Sequence, residues 1–151
     1  MLIIAASPSI NISTFISLIR ESNCDFNVDS FKNWQQETIA TLPKAFVYIR
    51  VSPETALKRL LQQGIEATLK QIQVTHEINE NYFIHKTTIS AELKKVPVLV
   101  LNGTINFETD FSQFYTHLFS IKKFFKELKD QEDKEKGVYV APKKKQCGCK
   151  C

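Results

Sequence analysis

Three short apolar runs punctuate the chain, and helical periodicity fills the intervals between them. The runs are Met1-Leu2-Ile3-Ile4-Ala5-Ala6, Phe46-Val47-Tyr48-Ile49-Arg50-Val51 and Val96-Pro97-Val98-Leu99-Val100-Leu101. Segments this short and this rich in β-branched and aromatic side chains suit strands covered on both faces, as in a parallel sheet. Pro97 falls near the start of its run, where a missing N–H is tolerated. After the first run comes Ser7-Pro8-Ser9, then Ile12, Phe15, Ile16 and Ile19 at helical spacing, which predicts a strand, a loop and a helix.

The second run leads into a sharper unit. Ser52 is placed to cap a helix, Pro53 fits its first position, and Glu54 faces the positive end of the helix dipole. Ala56, Leu57, Leu60 and Leu61 then share one side, and Gly64 is a natural stop. Elsewhere a helix is predicted around Asp29 to Thr41, with Phe31, Trp34 and Thr38 on one face. Ile65 to Ile89 contains no Gly or Pro and carries Leu69, Ile72, Val74, Ile78, Tyr82 and Phe83, which predicts one long helix or two joined by a kink. Phe107, Phe111, Phe114, Leu118, Ile121, Phe125 and Leu128 recur at steps of four and three, the clearest helical stripe in the chain. Core is the expected role of that face; a partner-binding coiled coil is the alternative.

Strand and helix therefore alternate, which predicts an α/β domain over residues 1–128: a small three-layer fold with parallel strands near residues 2 to 6, 46 to 51 and 96 to 101, flanked by helices. From Lys129 the composition shifts to alternating charge and then to a basic, cysteine-bearing end, so residues 129–151 read as a disordered tail.

Composition narrows the function classes. The 151 residues are enough for one domain with a core that needs no disulfide or metal, and eleven Phe against a single Met and Trp point to aromatic packing. The net charge of +4 is matched by Lys143, Lys144, Lys145 and Lys150 alone. The body is thus near neutral and offers no basic face for nucleic acid. No run reaches the roughly 18 apolar residues of a membrane span, and Met1 to Ala6 lacks the form of a signal peptide, so a cytoplasmic protein is the expectation. Cys24 stands alone, and the other three cysteines crowd the last five residues, which excludes a disulfide scaffold.

Val47 to Leu60, VYIRVSPETALKRL, resembles the deoxynucleoside kinases, relatives of mitochondrial thymidine and deoxyguanosine kinases. In that family a strand of the pattern IYLRVSPE feeds a helix ending in arginines, which forms the lid over the ATP phosphates. In looser form the resemblance extends from Met1 to about Leu128. It implies a P-loop-kinase-like fold, MgATP as cofactor, and phosphate transfer from ATP to the 5′-hydroxyl of a deoxynucleoside.

The same resemblance implies where activity should reside, and much of it is absent. The family's loop has the form G-x-x-x-x-G-K-[ST], in which glycines let backbone N–H groups wrap the phosphates and lysine neutralises their charge. Aligned on Ser13-Thr14, this chain reads Ala6-Ser7-Pro8-Ser9-Ile10-Asn11-Ile12-Ser13, with neither glycine and with Ile12 in place of the lysine. Ser13 keeps a hydroxyl that could touch Mg²⁺, although capping the helix is the simpler role. Arg59 matches the first lid arginine, whereas Gln63 and Ile65 stand where further arginines are expected. The family's segment bearing the general base has no room between the first two helices. Ser13, Thr14 and Arg59 are therefore the candidate nucleotide-binding residues, and no catalytic residue is assigned. Trp34 is a candidate pocket residue, with core as the alternative.

Three functions follow as expectations. The first is a kinase-like protein that has lost catalysis. The second is a nucleotide-binding module, or an active nucleoside kinase with an atypical loop. The third is an interaction protein tethered at a membrane surface by its tail, because Cys149-Lys150-Cys151 resembles the C-x-C end that Rab-type GTPases present for lipidation. Soft-metal binding and unmodified thiols are the other readings of Cys147, Cys149 and Cys151. A homodimer is left open. His76-Glu77 is no zinc motif, since the second histidine would fall at Glu80, and His76, His85 and His117 read as surface or half-buried helix residues.

Overall fold

A computed structural model describes residues 1–22, 26–37, 42–104, 106–107 and 109–135. The chain divides into two units, Met1–Ile121 and Lys122–Cys151. Among the described residues of the first unit lie four strands in the order β2-β1-β3-β4, every neighbouring pair parallel. They are β1 (Leu2–Ala6), β2 (Val28–Ser30), β3 (Ala45–Arg50) and β4 (Val98–Asn102). Helices α1 (Ile12–Glu21), α2 (Phe31–Glu37), α3 (Pro53–Gln62), α4 (Leu69–Asn79) and α5 (Ala91–Lys94) flank the sheet, with a π-helical turn at Glu80–Ile84. The last helix, α6, runs over Phe111–Glu135, and the described part of the second unit consists of its residues from Lys122 onward. The predicted α/β class with a parallel sheet is what forms.

β1 and β3 are central and almost wholly buried, which is why both read as continuous apolar runs. Side-chain alternation sends Ile3, Ala5, Phe46 and Tyr48 to one face, where they meet Trp34, Phe83 and Val96. Aromatic rings dominate there: Trp34 lies edge-on to Phe46 at 5.6 Å, and Tyr48 stacks on Phe83 at 5.1 Å. On α1, Phe15 packs edge-to-face with Phe107 at 5.2 Å and Phe114 at 5.7 Å. Each such side chain contributes roughly 1.5–3 kcal/mol by leaving water.

Four departures from the sequence reading have local causes. Asp29 and Ser30 belong to β2, not to a helix, because they pair with Ile3 and Ile4 of β1. Ser30 then caps α2, its hydroxyl accepting the Asn33 N–H at 3.2 Å. The helix expected from Ile65 starts only at Leu69, behind a capping box in which Thr68 and Gln71 satisfy each other's backbone N–H groups. It passes into the π turn at Glu80 and does not continue to Ile89. Asn11, not Ser13, caps α1, its Oδ1 accepting the Thr14 N–H at 3.1 Å. Finally, α6 continues past Leu128 to Glu135, so the segment from Lys129 to Glu135 is helical where the composition predicted a tail. Among the described residues no helix is long and apolar enough to cross a membrane.

Candidate functional site

In an open parallel sheet, ligands bind beyond the carboxyl ends of the strands where the chain's direction of winding reverses. Here that place is the gap between β1 and β3: the chain leaves β1 for β2 on one side, then returns to β3 on the other. Two loops flank the gap, Ser7 to Asn11 after β1 and Val51-Ser52 after β3.

The two loops are tied together by Ser7. Its N–H donates to the Ile49 carbonyl at 2.9 Å, its hydroxyl donates to the Val51 carbonyl at 3.3 Å, and that hydroxyl accepts the Val51 N–H at 2.9 Å. Ser7 is buried, so these bonds persist away from competing water. Further along, Ser9 adopts a left-handed backbone with φ of 85°, and its hydroxyl is enclosed without a hydrogen-bond partner among the described residues. Left-handed backbone at a non-glycine residue is costly and clusters at ligand-facing loops.

Across the gap stands α3. Ser52 accepts the Thr55 N–H at 3.2 Å, Pro53 occupies the first turn, and Glu54 sits in that turn as expected. Gly64 ends the element with φ of +79°, a left-handed stop. From the last turn Arg59 reaches toward the loop after β4. Its Nη1 donates to the Gly103 carbonyl at 2.8 Å and its Nη2 to the Thr104 carbonyl. Burial lowers the guanidinium's pKa from its usual value.

Between these elements lies a cavity of about 600 Å³, lined by Ser9, Ile10, Asn11, Arg59, Leu60, Gln62, Gln63, Ile65, Asn106 and Thr109. Arg59 and the loop after β1 thus meet in one site. Gln63 and Ile65, at the positions where the family resemblance calls for further arginines, line the same space. The donors available to an anion are few. Two guanidinium nitrogens of Arg59 are engaged by carbonyls, and the Thr14 N–H goes to Asn11.

The remaining sequence candidates fall as follows. Ser13 is exposed and Thr14 half-buried in the first turn of α1, next to the cavity lining and not part of it. Trp34 is 3% exposed within the aromatic face of the sheet, away from the cavity. Cys149 and Cys151 lie outside the described residues. Among the described residues no three His, Cys, Asp or Glu side chains are grouped to hold a metal.

One cluster at this end of the sheet was missed by sequence reasoning. The Tyr48 hydroxyl donates to Glu80 Oε2 at 2.9 Å, and Arg50 pairs with the other carboxylate oxygen. Glu80 is only 8% exposed. Burial first, and then the hydrogen bond to Glu80, push the Tyr48 phenol well above its ordinary pKa. A signal existed: Glu80 follows Ile72 and precedes Phe83 on a buried helical face, and a lone carboxylate there needs a partner.

No family model and no curated protein matches this chain.

Proposed function

We propose that this is a deoxynucleoside-kinase-like protein that does not transfer phosphate. The observation that carries the reading is the state of Arg59. A lid arginine works by bridging the oxygens of a transferring phosphoryl group, but here the guanidinium is turned to the loop after β4, with Nη1 on the Gly103 carbonyl and Nη2 on the Thr104 carbonyl. The loop after β1 supports the same reading, since Pro8 and Ile12 replace the donor and the cation that a phosphate would need. The test is a radiolabel assay with ATP and each deoxynucleoside in turn. No product above the enzyme-free control is expected, and product that accumulates in proportion to protein overturns the proposal.

A second reading, a nucleotide-binding module without turnover, is favoured by the cavity of about 600 Å³ in which Arg59 and Asn11 meet. Thermal unfolding with MgATP separates the two. Ligand at a hundredfold excess over its Kd stabilises by about 2.7 kcal/mol, and an unchanged midpoint removes the binding reading.

A further inference from the structure

A second concavity lies at the carboxyl ends of β3 and β4, with a volume of about 480 Å³ and a lining that includes Arg50, Ser52, Pro53, His76, Val100 and Asn102. It shares no residue with the cavity around Arg59. We propose that it binds a phosphate monoester of a small organic molecule, with Arg50 and His76 as the phosphate-binding side chains.

Four features converge on that chemistry. Arg50 is anchored through Nη2 by Glu80, which Tyr48 holds in turn, and the guanidinium makes no other hydrogen bond among the described residues. Its side chain remains 47% exposed, so the free edge of the fork is open to a ligand. A guanidinium fixed at one end matches two oxygens of a tetrahedral oxyanion with little further loss of freedom. His76 supplies the second feature: it lines the cavity as a half-buried side chain, and its Nδ1 has no hydrogen-bond partner among the described residues. Buried polar atoms are nearly always satisfied, and an unsatisfied one asks for an explanation such as an absent ligand. The third is Asn102, whose Oδ1 is occupied by the Thr104 N–H at 2.9 Å and by the Thr104 hydroxyl, which leaves the amide N–H₂ as the free end. The positive end of α3 adds to the same field, because Ser52 and Pro53 line the space.

The lining also decides the rest of the ligand. Val100 is 40% exposed, and with Pro53 and Leu101 it gives the cavity an apolar side. The volume exceeds what phosphate alone would fill. An adjoining cavity of about 500 Å³ shares Pro53 and His76 and carries Lys70, Glu77 and Glu80. Glu80 is already paired with Arg50, and Lys70 stands on the same wall as Glu77.

The experiment is an NMR titration of the full chain with phenyl phosphate, followed through the Arg50 side-chain N–H and the His76 ring signals. Inorganic phosphate and phenylacetate serve as comparison probes. Saturable shifts at both residues are expected, weaker for inorganic phosphate and weakest for phenylacetate. His76→Phe and Arg50→Lys should each weaken phenyl phosphate by about tenfold. Should Arg50→Lys unfold the protein by stranding Glu80, His76→Phe decides alone, with its fold checked by circular dichroism. No saturation at a concentration of roughly 10 mM, where even millimolar affinity would show, overturns the proposal. So does binding that survives His76→Phe at full strength, and so does tighter binding of phenylacetate than of phenyl phosphate.

Discussion

Tyr48 on β3 and Glu80 at the start of the π turn are joined by a 2.9 Å hydrogen bond across 32 residues of chain. The bond fixes the α4 end against the sheet at the level where β3 terminates. Because Arg50 takes the other carboxylate oxygen, Glu80 has two partners and neither can be removed without consequence for the third.

Replacing Glu80 by Ala strands a buried phenol and half of an ion pair. Urea unfolding should show a loss of about 1–3 kcal/mol. Tyr48→Phe removes only a donor and leaves the carboxylate with Arg50, so its cost should be smaller, about 1 kcal/mol. The double mutant should lose less than the sum of the two. Equal losses for Glu80→Ala and for an exposed acid such as Glu54→Ala would show that the cluster adds nothing.

Tyr48 also sets an alkaline limit. A phenol whose pKa is raised on folding binds its proton more tightly in the native state than in the unfolded chain. The associated stability is complete below the unfolded pKa of about 10 and is lost as pH climbs above it. Burial raises Tyr82 as well, so both phenols contribute to this slope. Unfolding free energies measured between neutral pH and pH 11 should fall, and Tyr48→Phe should fall less steeply than the parent.

His117 works in the opposite direction. It is 4% exposed, sits edge-on to Phe15 at 6.2 Å, and keeps an enclosed Nε2 without a hydrogen bond among the described residues. Burial lowers its pKa, so below the unfolded value of about 6.5 the unfolded chain takes up a proton that the native state refuses. Stability should therefore decline on acidification from that point, by at most about 1.4 kcal/mol per pH unit from this group. His117→Phe keeps the ring contact and should flatten the decline; an unchanged acid slope would remove His117 from the account.

Gly103 is a packing requirement. A Cβ at this position would come within 2.8 Å of Val51 Cγ2, 2.9 Å of Ile49 Cγ2 and 3.0 Å of Ile10 Cδ1. Those side chains belong to β3, to the loop after it and to the loop after β1, and the Gly103 N–H is bonded to the Arg50 carbonyl at 2.9 Å. Gly103→Ala should cost about 1–3 kcal/mol by overpacking. Gly64→Ala meets no neighbour and carries only the strain of its left-handed backbone, about 1–2 kcal/mol. Thermal midpoints of the two variants give the comparison.

What could be read from the chain follows from how local the signals are. β1, β3 and β4 announce themselves because each is apolar along its length. β2 does not, because Val28-Asp29-Ser30 has one apolar residue and becomes a strand only through its pairing with Leu2, Ile3 and Ile4. The cap at Ser52 was legible, since Pro and Glu follow it directly. At α1 both Asn11 and Ser13 are good caps by residue type, and the extended backbone at Asn11 decides between them. Arg59 was singled out, but its carbonyl partners lie more than forty residues away and leave no trace in its neighbourhood. Of the Tyr48, Arg50 and Glu80 cluster only the carboxylate on an apolar helical face was visible; which residues it meets, 32 and 30 positions away, was not.

The strand order has a consequence for how the protein comes to be made. β1 precedes all its partners in the chain: β2 pairs with it from Val28, β3 from Ala45, and β4 joins only when Val98 meets Phe46. Leu-Ile-Ile-Ala-Ala therefore keeps an apolar edge open until the strand that will cover it, β3, has been added. Long-range parallel pairing of this kind is slow and leaves apolar strand edges open during folding. The vulnerable moment in this protein's life precedes the native state, and it falls on β1.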